Sequence, residues 1–164
     1  MKIRQVELSD TPAICKIINY YIENSAIILE TEPYSEDRTR QRIEVIINSG
    51  HLFYVGEVAG KVIGFCHTKP LESGCAYTAT VEESIFLDKN ETGKGYGSQL
   101  LEHLLKQIDK TAIHTLIATL VLPNESSVRL HEKFGFKQVS CMKEVGRKFG
   151  QWQDIGHWQL VLTN

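Results

Sequence analysis

Apolar positions change their spacing several times along the 164-residue chain, and each change predicts a new element. KIRQVEL at 2–8 alternates over a short run, which reads as a first strand. Ala13, Ile14, Ile17, Ile18, Tyr21 and Ile22 then recur at helical spacing. Ser9 or Asp10 is placed to cap that helix, and Pro12 falls near its first turn, where a missing N–H costs nothing. A second helix is expected after Ser35, with Ile43, Ile46 and Ile47 on its apolar side and Gly50 at its end. HLFYVGEVAGKVIGFCHTKP at 51–70 holds two β-rich runs around a turn at Val58–Lys61 containing Gly60, a hairpin pattern.

AYTATVEESIFL at 76–87 is a long extended run, followed by a glycine loop and a leucine-rich helix from about Gly97 to Asp109. HTLIATLVL at 114–122 reads as a strand, and PNESSVRLHEKFGF at 123–136 as a short helix ending in a Phe-Gly-Phe turn. The tail at 137–162 is expected to form two strands joined through the glycines around Gly146–Gly150. The predicted order, β-α-α-β-β-β-α-β-α-β-β, is mixed, without the strict βαβ alternation of a doubly wound sheet. With no repeat, linker or low-complexity tract, residues 1–164 are expected to form one α/β domain.

Composition narrows the function classes. A net charge of −2 and the lack of any basic run argue against a nucleic-acid partner, which needs a basic surface. No window approaches the roughly 18 apolar residues of a membrane span, and MKIRQVELSD has no signal-peptide core. Cys15, Cys66, Cys75 and Cys141 form no C-x-x-C pair and no zinc-like spacing with histidine. They are expected to be reduced and mostly buried, in a cytoplasmic protein that needs no metal.

The glycine loop is the first candidate for chemistry. Residues 92–98 read TGKGYGS, between a strand and a helix. Gly93, Gly95 and Gly97 allow close backbone approach to an anion, and the following helix contributes its positive end. Lys94 adds a cation, and Tyr96 and Ser98 lie within the same turn. A P-loop would need G-x-x-x-x-G-K-[ST], and here Gly97 is followed by Ser98. A dinucleotide fingerprint would need G-x-G-x-x-G and an acidic residue at the end of the next strand, where this chain has Leu122, Pro123 and Asn124. A coenzyme A pyrophosphate and a ligand-free tight turn both remain compatible with the loop itself.

The neighbouring motifs supply a resemblance. Thr92–Gly97 is similar to the [Q/R]-x-x-G-x-[G/A] loop of the GNAT N-acetyltransferases, with Thr92 in place of the leading Gln or Arg. NESSVRLHEKFGF at 124–136 is similar to that family's N-x-x-[SA]-x-x-L-Y-x-K-x-G-F, with His131 in place of tyrosine. IINYYIENSAIILETEP, AYTATVEES, LPNESSVRLHEKFGF and KFGQWQDIGHWQ further resemble the phosphinothricin acetyltransferase branch, in order and over nearly the whole chain.

That resemblance implies a mostly antiparallel central sheet flanked by helices, acetyl-CoA as cosubstrate, a small primary amine as acceptor, and a homodimer built with the C-terminal strands. It places a general base at Glu82, whose partial burial would raise its pKa toward the working range. Glu83 would point to the opposite face, because neighbours on a strand alternate. The main chain of Ile85, Phe86 and Leu87 is assigned to acetyl-CoA, with the Leu87 N–H toward the thioester oxygen. Asn124 is read both as a helix N-cap and as a contact to the cofactor amide. His131 is either the acid that protonates the leaving thiolate or a packing histidine. Tyr77 and Thr78 are the substrate-side candidates; Thr78 stands where a sulfoximine-acetylating group carries arginine. Lys69, Arg147 and Lys148 are the cations available to a substrate carboxylate. Trp152 and Trp158 are expected in the core or an interface.

Overall fold

The computed structural model describes residues 1–72 and 74–162. Its elements are β1 (Lys2–Gln5), α1 (Thr11–Asn24), α2 (Glu36–Asn48), β2 (Phe53–Val58), β3 (Lys61–Pro70), β4 (Thr80–Leu87), α3 (Tyr96–Ile108), β5 (Thr115–Leu122), α4 (Glu125–Lys133), β6 (Lys137–Lys148) and β7 (Gln151–Val161). The order matches the one read from hydrophobic spacing. Local chemistry sets several boundaries. The Ser35 side chain accepts from the Arg38 N–H at the start of α2, and Gly50 takes φ +76° just beyond its end. Ala59 and Gly60, both at positive φ, turn β2 into β3.

The strands form one seven-stranded sheet in the order β1-β2-β3-β4-β5-β7-β6. Every pairing is antiparallel except β4 with β5. β3 is buried almost along its whole length, as a central strand covered on both faces should be. Leu100, Leu101, Leu104 and Ile108 of α3 pack with Val81, Leu116 and Phe136 on one face. Ile14 and Ile17 of α1 and Ile43 and Ile46 of α2 pack with Phe53, Val55 and Phe65 on the other.

Two expectations are corrected. The last hairpin turns at Phe149–Gly150, both at positive φ, while Gly146 lies inside β6. There Gly146 packs against Leu29 in the α1–α2 connection, and a Cβ would come within 2.6 Å of the end of that side chain. The cysteines are not mostly buried: Cys15 and Cys66 are, while Cys75 and Cys141 are exposed.

The parallel pair positions the site. β4 and β5 are paired only from Thr80 to Glu83 and from Thr115 to Ala118. Beyond that point β4 stays with β3 as far as Leu87, and β5 stays with β7 as far as Leu122. The two strands therefore part, leaving a notch in the middle of the sheet.

Candidate active site

The notch opens into a groove of about 420 Å³. Backbone polarity on its β4 side follows from one bond. Asp88 N–H donates to Ile63 on β3 at 2.7 Å, so by strand alternation Leu87 and Ile85 direct their N–H and C=O groups away from β3, into the notch. The Tyr21 hydroxyl fills one of these valences, donating to the Leu87 carbonyl at 2.8 Å. The Leu87 N–H lies on the same side. Phe86 directs its main chain to β3, opposite Phe65, and borders the groove with its side chain.

Thr92, Gly93, Gly95, Gly97 and Ser98 line the next stretch of the groove. Gly93 and Gly95 have φ +75° and +82°, a region that L side chains avoid, and a Cβ on either would meet nothing within 4 Å. They are therefore required by conformation and not by crowding. Gly95 is the N-cap of α3, whose first turn carries no acidic residue. The unpaired N–H groups of that turn make an anion-binding end. These features fit a pyrophosphate. Lys94 and Tyr96 are not among the residues lining the groove; Lys94 is paired with Glu91 at 3.0 Å.

The opposite wall is α4. Asn124 caps it, its side chain accepting from the Ser127 N–H at 3.3 Å, and also borders the groove. Ser126, Arg129, Leu130 and Lys133 face the groove at helical spacing. Lys133 is the lysine of the 124–136 motif, whereas Arg129 is a contributor that the family motifs do not single out. Their signal lies in SVRLHEK, where the two cations are four residues apart on the face that holds Ser126. Tyr21 reads in the sequence only as a member of an apolar stripe, which hides its hydroxyl.

Behind the notch lies a second cavity, of about 270 Å³. Ile27 and Phe86 border both spaces, so they adjoin. Its floor is the sheet face carrying His67, Lys69, Glu82, Ser84 and Thr119, and Ile27–Glu30 cover it. Glu82 is half-buried here, and its Oε2 lies 3.1 Å from Lys69 Nζ. His67 is stacked parallel to Phe65 and is buried. Burial first, then the charges of Arg42 and Lys69, push it down to about 3, so it is neutral.

Glu83, one residue on, faces the other side. Its Oε1 lies 2.6 Å from His131 Nε2, and His131 Nδ1 lies 2.7 Å from the Ser127 carbonyl. Both side chains are buried, and Phe136 packs edge-on against the imidazole. Burial pushes the His131 pKa down, but the hydrogen bond and charge of Glu83, with the Ser127 carbonyl, outweigh it and leave the imidazole above its ordinary value. His131 is thus engaged on both ring nitrogens and is not among the groove-lining residues.

Tyr77 and Thr78 lie elsewhere. They border a separate hollow with His51, Thr68 and Thr111, away from Glu82. Lys148 is buried, its Nζ donating to the carbonyls of Ile22 at 2.5 Å and Ile28 at 2.7 Å. Arg147 is exposed, its guanidinium 5.6 Å from the Trp152 ring centre. Trp158 is in the core, while Trp152 is exposed. Among the described residues no cluster of His, Cys, Asp or Glu could hold a metal ion, and no helix is long and apolar enough to cross a membrane.

A strand pair that parts beside a glycine loop and a helix N-terminus is a frame for a pantetheine arm and its pyrophosphate. A family model described as an acetyltransferase (GNAT) domain matches residues 3–157. The chain belongs to the GNAT acetyltransferases. It is 34% identical over 159 residues to the phosphinothricin N-acetyltransferase of Streptomyces viridochromogenes, covering 97% of this chain and 86% of that one. A GNAT phosphinothricin acetyltransferase from Sinorhizobium meliloti, solved in complex with AcCoA, superposes with a TM-score of 0.95 at 30% identity, over 98% of this chain and 88% of that one. A ribosomal-protein-alanine N-acetyltransferase from Brucella melitensis superposes with a TM-score of 0.96 at 30% identity, over 99% and 100% of the two chains. The protein is an acetyl-CoA-dependent N-acetyltransferase.

Proposed function

We propose that this GNAT enzyme acetylates the α-amine of a small amino acid or analogue, phosphinothricin among them, with Glu82 as general base. The observation that carries this reading is the placement of Glu82 in a half-open cavity that adjoins the cofactor groove at Ile27 and Phe86. A primary amine is mostly protonated near neutral pH and must lose a proton before it attacks. Glu82 offers the acceptor from the side opposite the groove.

On the cofactor side, the N-terminus of α3 and the loop of Gly93 and Gly95 hold the pyrophosphate, and Ser98 and Asn124 flank it. The free main-chain groups of Ile85 and Leu87 hold the pantetheine arm as an added strand would. The Leu87 N–H stabilises the oxyanion; Tyr21, bound to the carbonyl of the same residue, fixes the direction of that edge. Bound acetyl-CoA supplies an activated acyl group, and the chain supplies orientation, a proton acceptor and one oxyanion donor.

Transfer is direct. Cys66 is fully buried within β3, and burial holds its thiol far above the ordinary range. Cys15 is buried against the Tyr34 carbonyl, and the exposed Cys75 and Cys141 border neither cavity. His131, committed to Glu83 and Ser127, supports α4 and with it the Asn124 wall.

A thiol-release assay tests the reading. Free amino acids, phosphinothricin, methionine sulfoximine, polyamines and an alanine-initiated peptide are offered with acetyl-CoA. Turnover of free amino acids above the peptide is expected. The small volume of the second cavity, about 270 Å³, favours that order, and preference for the peptide would reverse it. Val139, Met142, Val145, Phe149 and Trp152 are exposed along β6, β7 and the turn between them, which supports assembly as a homodimer through this edge. Sedimentation at micromolar concentration checks it, with a monomer the contrary result.

A further inference from the structure

Of the three cations that the sequence offers to an acidic substrate, the fold leaves one beside the base. Lys148 is spent on two backbone carbonyls, and Arg147 lies over Trp152 on an exposed strand. Lys69 stands directly across from Glu82 in the β3–β4 register, and both border the second cavity. Its ammonium carries three donors, and the contact to Glu82 Oε2 at 3.1 Å uses one. The side chain is 42% exposed, so the remaining donors are open to a ligand. Arg42 borders the same cavity but is engaged elsewhere, its guanidinium over the Tyr34 ring and 3.4 Å from the Tyr34 hydroxyl. His67, the other nearby nitrogen base, is enclosed between Phe53 and Phe65.

We propose that Lys69 determines substrate class by binding the carboxylate next to the amine that is acetylated. An α-amino acid carries its nitrogen and its carboxylate on one carbon. The Lys69–Glu82 pair presents an anion and a cation side by side on adjacent strands, the complementary arrangement. The nitrogen meets Glu82 and the carboxylate meets Lys69, and one cross-strand pair thus selects α-amino acids over simple amines. The proposal rests on Glu82 marking the amine site.

The test compares each amino acid with the amine that lacks only its α-carboxylate. L-Methionine sulfone is paired with 3-(methylsulfonyl)propylamine, and L-phosphinothricin with 3-aminopropyl(methyl)phosphinic acid. Wild type, Lys69→Met, Lys69→Arg and Glu82→Gln are assayed by thiol release at saturating acetyl-CoA. In Lys69→Met the KM for the amino acids should rise about ten- to a hundredfold, the loss of one charge-assisted hydrogen bond. The KM for the decarboxylated amines should stay within about twofold, and Lys69→Arg should recover most of the difference. An equal fall in kcat for both members of a pair, with the KM ratio unmoved, overturns the proposal and makes Lys69 an adjunct of Glu82. Wild-type enzyme that does not distinguish acid from amine overturns it as well. Failure of the Glu82 reading is separate: it would appear as undiminished kcat in Glu82→Gln, while the KM ratio across Lys69 variants stays readable.

Discussion

Glu82 and Glu83 carry the same carboxylate on consecutive residues of β4, and the pleat of that strand sends them into unlike surroundings. Glu82 enters a cavity beside the cofactor groove, meets a half-exposed lysine and keeps contact with solvent. Glu83 enters the packed layer under α4, meets a buried histidine, and has one oxygen with no partner. The first arrangement leaves a proton acceptor open to an incoming molecule. The second is closed to ligands, and its contribution is to tie a helix to the sheet. Position on a strand, and not residue type, separates an accessible carboxylate from a buried one here.

The sharpest way to break that contrast is Glu82→Gln. Removing a general base should lower kcat by about 10²- to 10⁴-fold, with acetyl-CoA affinity by calorimetry and the urea midpoint nearly unchanged. Wild-type turnover would return Glu82 to the status of an ordinary strand carboxylate. Glu83→Ala should do the reverse. It strands a buried imidazole that favours its charged form, at a cost of about 3–5 kcal/mol in urea unfolding. Among molecules that remain folded, turnover should fall by less than in Glu82→Gln.

A smaller effect separates the two by pH. The folded His131 pKa is raised, so the pair stabilises the fold fully below the unfolded value of about 6.5 and loses that contribution as pH rises through the folded value. The stability gap between wild type and Glu83→Gln should therefore shrink between pH 6 and pH 9, read from urea midpoints. A gap that widens with pH would contradict the sign. The smallest effect is coupling. In a double-mutant cycle of Glu82→Gln and Glu83→Gln, the stability terms should add to within about 0.5 kcal/mol, because the side chains share no partner.

Much of this architecture is legible in the amino-acid sequence. Hydrophobic spacing predicts all eleven major strands and helices in order, and Ser35, Gly50 and Gly60 mark their ends by simple capping and turn chemistry. The glycine loop is visible as a candidate anion site because its geometry is local. What spacing does not convey is partnership between distant segments. Glu83 meets His131 across 48 residues, and Lys69 meets Glu82 through strand register. Tyr77 and Thr78 are near Glu82 in sequence, yet the chain that joins β3 to β4 places them in a different hollow. Gly146 reads as a turn glycine, yet it lies within β6 against Leu29, more than a hundred residues earlier.

With the second cavity as the proposed amine site, the buried Lys148 has a consequence for how such an enzyme acquires new substrates. It grips the carbonyls of Ile22 and Ile28, groups that every residue possesses, while the side chains of Ile27, Ile28 and Leu29 face the cavity. The roof is anchored by its backbone and tailored by its side chains. Its letters can be rewritten, residue by residue, without loosening the fastening that keeps it in place.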